Sequence, residues 1–191
     1  MPRGKFIAIL GADGVGKSTV IRLLAPKLRE PGRDFVFFHW KPVKNGMHRN
    51  EIPGDNPHNP RDKKPRNPLA SLVFLAYHWL GFWFGYFRFI RPELRRGNTV
   101  IADRYAFDML LDPARFRLNI PAWLLRGSVY TLPRPDTIIG LFAKSETIIA
   151  RKPELSIGEI EQYQAKLVKI TGIKIVDAEA QPEQVSYQIR K

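Results

Sequence analysis

Short apolar runs alternate along this chain with stretches whose apolar residues return at helical spacing. Residues 5–10, Lys-Phe-Ile-Ala-Ile-Leu, form the first run, short and β-rich as a buried parallel strand should be. Further runs fall at 35–40 (Phe-Val-Phe-Phe-His-Trp), 99–102 (Thr-Val-Ile-Ala), 137–142 (Thr-Ile-Ile-Gly-Leu-Phe) and 174–176 (Lys-Ile-Val). After Lys17, the residues Val20, Ile21, Leu23, Leu24 and Leu28 set out one helical apolar face. A short amphipathic helix is expected over 121–132, a longer one over 156–171 and a last one over 182–190, where Val185 and Ile189 stand four apart. Ser156 and Glu159 have the spacing of a capping box, and the helix they open ends at Gly172. The pattern is α/β, without internal repeat or visible boundary, so residues 1–191 read as one domain.

Two segments interrupt the alternation. Residues 41–68 carry Pro42, Pro53, Pro57, Pro60, Pro65 and Pro68, a spacing that predicts neither helix nor strand but a flexible basic loop. Its Lys41, Lys44, Arg49, Arg61, Lys63, Lys64 and Arg66 either close over an anionic substrate or belong to a disordered insertion. Residues 69–87 carry no formal charge and are long enough to span a membrane. Against a span stand Ser71, Tyr77 and His78, the weakening glycines Gly81 and Gly85, and an α/β pattern that needs a crossover helix here. A buried crossover helix ranks first, an aromatic dimer or membrane-surface face second, a true span last. Aromatic residues from Phe74 to Phe89 surround the whole helix. A helix apolar all round must be covered, so the face near Trp79, Trp83 and Phe87 is expected to meet a second subunit or an acidic membrane surface. The 41–68 loop, folded back, is the alternative cover. Arg88, Arg91, Arg95 and Arg96 follow where positive charge suits the helix C-terminus, and Gly97 stops it.

Composition changes the picture in two ways. The chain has no cysteine, which excludes disulfides and thiolate metal sites and suits a reducing cytoplasm. Its net charge of +13 attracts anions: phosphorylated small molecules, nucleic acid or an acidic membrane surface. No zinc-finger or RNP-type signature supports nucleic acid. The first residues run straight into a strand and predict no secretion signal.

The chemistry concentrates after the first strand. Gly11, Gly16, Lys17 and Ser18 fit G-x-x-x-x-G-K-[ST], and the motif lies between a strand and a helix, as its function requires. Glycines curl the backbone so that successive N–H groups face one concavity, and the helix N-terminus adds partial positive charge. Lys17 is placed to reach the β- and γ-phosphates of a nucleoside triphosphate, and the Ser18 hydroxyl to ligate Mg²⁺. The third strand delivers Asp103-Arg104-Tyr105 at its C-terminal end, where open α/β sheets bind ligands. A carboxylate there can hold Mg²⁺, and an adjacent arginine can clamp a phosphate. Asp108, Asp112, Arg115 and Arg117 follow in a polar stretch.

These motifs, with Ile90-Arg91-Pro92-x-Leu94-x-x-Gly97, Pro135-Asp136, Arg151 and Asp177-Ala178, resemble those of the thymidylate kinase family of P-loop kinases. The resemblance implies a P-loop NTPase fold with a five-stranded parallel sheet and helices on both faces. It implies an ATP- and Mg²⁺-dependent phosphotransferase whose acceptor is small and anionic, and a homodimer through the helix at 69–96. ATP would be held by Gly11, Asp13, Gly14, Val15, Gly16, Lys17, Ser18, Thr19, Arg151, Asp177 and Ala178. Lys17 would stabilise the transferring group, Ser18 and Asp103 would serve the metal, and Arg151 would be the lid arginine. Arg104 would clamp the acceptor, with Asp13 near its reactive end.

The acceptor half departs from the family. Trp40-Lys41-Pro42 stands where Arg-Glu-Pro is usual, and Tyr77-His78 where Asp-Arg is usual. The stretch Ala106–Arg115 has no glutamine to read a base, and the lid after Arg151-Lys152 has no further arginine pair. A nucleotide-like acceptor therefore competes with a sugar or glycolipid of surface-polysaccharide assembly, and with a nucleotide-binding protein that has lost transfer. The absence of cysteine and of a secretion signal leads to the expectation of a cytoplasmic location, with peripheral contact to an anionic membrane left open by the aromatic helix.

Overall fold

The computed structural model describes residues 3–28, 32–42, 46–52 and 64–190. Among the described residues, six strands form one sheet: β1 (Phe6–Leu10), β2 (Phe35–His39), β3 (Met47–Arg49), β4 (Thr99–Asp103), β5 (Thr137–Phe142) and β6 (Ile173–Asp177). They lie in the order β3-β2-β4-β1-β5-β6. The five expected strands pair in parallel, and β3 adds an antiparallel edge against β2. β1 is buried along its whole length, as a central strand covered on both faces must be.

β3 corrects the expectation that residues 41–68 hold no strand. No proline lies between Pro42 and Pro53, and an edge strand needs only one side of its backbone paired. Lys44, Pro53, Pro57, Pro60, Arg61 and Lys63 lie outside the described residues. The end of the segment is held in place: Arg66 N donates to Arg117 O at 3.0 Å, and Arg117 Nε to Lys64 O at 2.7 Å.

The helices are α1 (Lys17–Lys27), α2 (Pro68–Gly85), α3 (Arg91–Arg95), α4 (Asp108–Leu111), α5 (Ala122–Tyr130), α6 (Ser145–Arg151), α7 (Ile157–Leu167) and α8 (Pro182–Arg190). The expected capping box is present at α7, with Ser156 and Glu159 satisfying each other's backbone N–H. α2 starts on the Asn67 side chain, which accepts from Ala70 N at 2.7 Å, with Pro68 in its first turn. It runs into a π-helical turn, Tyr86–Ile90, and then α3. Pro92 explains the turn. It has no N–H for the carbonyl four residues back, so the hydrogen bonds slip and Arg91 N reaches Tyr86 O instead.

α2 crosses over between sheet strands as expected, but it is not a buried helix. Pro68–Arg95 is long and apolar enough to cross a membrane by length and composition, and 22% of its most apolar stretch is buried. The outward stripe is Leu69, Val73, Tyr77, Leu80, Phe84 and Phe87. This shifts the expected outward face: Trp79 and Trp83 are half-buried, and Trp79 Nε1 donates to Thr131 Oγ1 at 2.9 Å. Of the three residues expected to face outward, Phe87 alone is exposed. Gly81 and Gly85 do more than weaken the helix. A Cβ on Gly81 would lie 2.4 Å from Lys41 Cε, and one on Gly85 would lie 2.3 Å from Pro42 O. The missing side chains let the Trp40–Pro42 segment lie directly on the helix.

Candidate active site

The parallel register sets the site. His39 and Ile9 both pair with Asp103, so the ends of β1, β2 and β4 meet at one edge of the sheet. From there residues 11–16 curl into α1. Gly14 and Gly16 have φ of 90° and 100°, left-handed values that favour glycine, and Gly16 caps α1.

Lys17 is buried, and its Nζ donates to Gly11 O at 2.8 Å and Ala12 O at 2.9 Å. Burial, aided by the Arg104 charge, pulls its ammonium down to about 8. Asp103 is buried too. Burial pushes its carboxyl up, but the His39 hydrogen bond and the charges of Lys17 and Arg104 outweigh that and hold it below the usual range. Its Oδ2 accepts from His39 Nδ1 at 3.0 Å, while Oδ1 is buried with no hydrogen-bond partner among the described residues.

Arg104 sits at φ 77° and Tyr105 at φ 105°, strained values for residues with side chains. The surroundings hold them there. Tyr105 packs edge-on against Phe6 and Phe82 at 5.2 and 5.1 Å, and its hydroxyl donates to Pro133 O at 2.8 Å. Arg104 is 4% exposed, forks onto both Asp108 oxygens at 3.0 and 3.1 Å, and also bonds Asp13. The residue expected to clamp the acceptor is thus itself clamped. Arg115, bonded to Asp13 Oδ2 at 2.6 Å, is the more open cation, its side chain 18% exposed.

On the other side, Arg151 at the end of α6 donates to Val15 O at 3.4 Å and Ala178 O at 3.2 Å. Val15, Gly16, Thr19, Arg151 and Ala178 line one cleft, with Val20, Ala180, Pro182 and Val185 completing an apolar wall. Asp177 does not line it; its Oδ1 caps Glu179 N at 2.8 Å. One arginine beside apolar faces suits a nucleobase better than a phosphate chain.

The thymidylate kinase description matches residues 9–189. The chain belongs to the thymidylate kinase family. Members of that family are nucleoside monophosphate phosphotransferases. The chain is 34% identical over 105 residues to the probable thymidylate kinase 2 of Saccharolobus solfataricus, a match covering 55% of this chain and 44% of that protein. It thus spans less than half the length of that relative. It is 26% identical to the thymidylate kinase of Symbiobacterium thermophilum, covering 97% and 91% of the two chains. The solved thymidylate kinase of Candida albicans shares the fold at TM-score 0.63 and 21% identity, covering 98% of this chain and 90% of that one.

Within this thymidylate kinase family member, four of the positions that depart from the family pattern, Trp40, Lys41, Tyr77 and His78, touch one another. Trp40, at φ 56°, lies 4.8 Å from the His78 ring, and Lys41 Nζ lies 3.4 Å from His78 Nδ1 and 4.5 Å over the Tyr77 ring. Phe116 stacks on Trp40 at 4.9 Å, and Phe74 lies 4.1 Å from His78. Burial, then the charges of Lys41 and Arg66, pull His78 down to about 4, so its imidazole is neutral at neutral pH. Arg66 lies over the Phe74 ring at 4.3 Å.

Two site residues escaped the sequence. Tyr163 of α7 donates to Asp108 Oδ1 at 3.0 Å and accepts from Gly11 N at 3.3 Å, tying α7 to the start of the glycine loop. It shares an inward face with Ile160 and Leu167, so its periodicity reads as core. His39 ends a strand run, and only its register with Asp103 gives it a partner.

Proposed function

We propose that this protein transfers the γ-phosphoryl of ATP to a nucleoside monophosphate or a close analogue, with Mg²⁺. The observation that carries this is the buried Lys17 inside the glycine cradle, acting electrostatically on an Asp103 carboxylate whose Oδ1 has no hydrogen-bond partner among the described residues. A buried, unpaired carboxylate oxygen is costly unless something binds it. Among the described residues no three His, Cys, Asp or Glu side chains gather into a metal cage. One carboxylate and the Ser18 hydroxyl fit Mg²⁺, which takes few protein ligands and completes its shell with water and phosphate oxygens. Bound there, the ion neutralises phosphate charge.

The chain's own groups do the rest. Lys17 exchanges the Gly11 and Ala12 carbonyls for phosphate oxygens. The N–H groups of the loop and of the first turn of α1 face the same anion. Arg151 closes the donor cleft over the nucleobase. Asp13, between Arg104 and Arg115, keeps two cations oriented where an acceptor phosphate enters. Transfer breaks the bond from the γ-phosphorus to the bridging oxygen and forms one to the acceptor oxygen.

The acceptor wall is Trp40, Phe74, His78 and Phe116, which supports stacking on a flat acceptor with modest discrimination among bases. Buried hydrogen-bonding sites can discriminate by roughly 10⁴-fold or more, whereas shape alone gives far less. Purified protein assayed for ADP release against nucleoside monophosphates and against sugars tests the reading. Transfer to nucleoside monophosphates, lost in Lys17→Ala with unchanged circular dichroism, is the expected result. Transfer to sugars alone assigns the acceptor elsewhere, and equal turnover in Lys17→Ala removes the mechanism.

We propose further that the exposed stripe from Leu69 to Phe87 pairs with a second copy. Its residues are 51–72% exposed along one face, and an apolar stripe of that length favours a matching partner. Light scattering should give twice the 22.0 kDa chain mass. A monomer that sediments with anionic liposomes would replace the second copy by a membrane surface.

A further inference from the structure

We infer that His39 is a positioning residue, holding the Asp103 carboxylate so that Oδ1 stays open to the metal; this rests on the phosphotransferase reading above. β2 and β4 bring His39 and Asp103 side by side in register, and Trp40 N donates to Asp103 O at 2.8 Å, which fixes the backbone there. An ionised carboxylate only accepts, so His39 Nδ1 carries the hydrogen of the 3.0 Å bond to Oδ2.

Other cations compete for the same carboxylate. Lys17 and Arg104 both act on Asp103 electrostatically, and among the described residues Arg104 Nε is buried without a hydrogen-bond partner, as Oδ1 is. A carboxylate free to rotate would turn an oxygen towards these cations and form an ion pair. The metal position would then be lost. His39 prevents this by occupying Oδ2. Hydrogen bonds to ligating carboxylates typically set metal affinity or activity by about 10–100-fold.

The burial pattern separates this role from a structural one. The His39 side chain is 55% exposed and that of Asp103 8%, so removing the imidazole opens no core cavity. The experiment uses the full chain with a non-hydrolysable ATP analogue and titrates Mn²⁺ by electron paramagnetic resonance, a readout independent of turnover. His39→Ala should weaken Mn²⁺ binding about tenfold while metal-free analogue binding stays unchanged. His39→Asn, whose amide N–H can reach Oδ2, should restore most of the affinity. Wild-type Mn²⁺ affinity in His39→Ala, no rescue by asparagine, or a parallel loss of metal-free nucleotide binding each overturns the inference. Failure of the unaltered protein to bind nucleotide at all would instead remove the phosphotransferase reading beneath it.

Discussion

Tyr163→Phe deletes one hydroxyl and tests whether α7 is tied to the start of the glycine loop. Burial, then the Asp108 charge, push the phenol well above its ordinary value, so it stays a donor at any working pH. Its bond to Asp108 ends on a charged group, a class that contributes about 1.5–3 kcal/mol, against about 1 kcal/mol for a neutral pair. Asp108 keeps the Arg104 fork after the change, which favours the lower end. The contact from Gly11 N is long at 3.3 Å and adds less than a full bond. The sum is a destabilisation of about 2–3 kcal/mol. In a chain of this size each kcal/mol shifts Tm by about 2–4 °C, so Tm should fall by about 4–12 °C. Urea unfolding should show a lower midpoint at unchanged slope, the sign of lost stability without altered compactness. The KM for ATP should rise a few-fold, because Gly11 begins the cradle. A variant within about 0.5 kcal/mol of the parent, with unchanged KM for ATP, would refute the idea that this hydroxyl joins the two elements.

Three further outcomes are expected. Gly85→Ala puts a Cβ 2.3 Å from Pro42 O and 2.6 Å from Pro42 Cγ, an overpacking that costs about 1–3 kcal/mol. It should raise the acceptor KM and leave that for ATP unchanged; unaltered stability would mean that the 40–42 segment is not held by the helix. Arg115→Gln should raise the acceptor KM about tenfold or more, with a smaller change for ATP, in steady-state assays that vary each substrate separately. Equal effects on both substrates would contradict its placement on the acceptor side. His78 takes up a proton near 6.5 when unfolded and only near 4 when folded, so its contribution to stability is complete above pH 6.5 and is lost as the pH falls through 4. The ring is partly in solvent, which limits the effect to about 1 kcal/mol. Melting from pH 7 to 4 should fall less steeply in His78→Gln than in the parent, and parallel curves would exclude His78 as a source.

By itself, the sequence determined everything set by local pattern and by a contiguous motif. The central strands β1, β4 and β5 are buried on both faces, so their apolar runs announce them. The P-loop is legible because its groups come from one uninterrupted stretch, 11–19, and the α7 capping box because its partners lie three residues apart. β3 was hidden because three residues of edge strand carry almost no pattern. The outward face of α2 was misplaced because a helix apolar all round has no stripe to read; contact with α5 decided that Trp79 turns inward.

Only the tertiary structure decided the partners. Arg104 is buried against Asp13, 91 positions before it, and Tyr163 reaches Gly11 from 152 residues away. Neither spacing leaves a trace in a linear pattern. Trp40, Lys41, Tyr77 and His78 look like scattered departures along the chain. They meet only because two glycines on α2 allow the end of β2 to lie against it. Close approach of backbone to backbone depends on side chains that are absent, and it becomes visible only once the chain has folded.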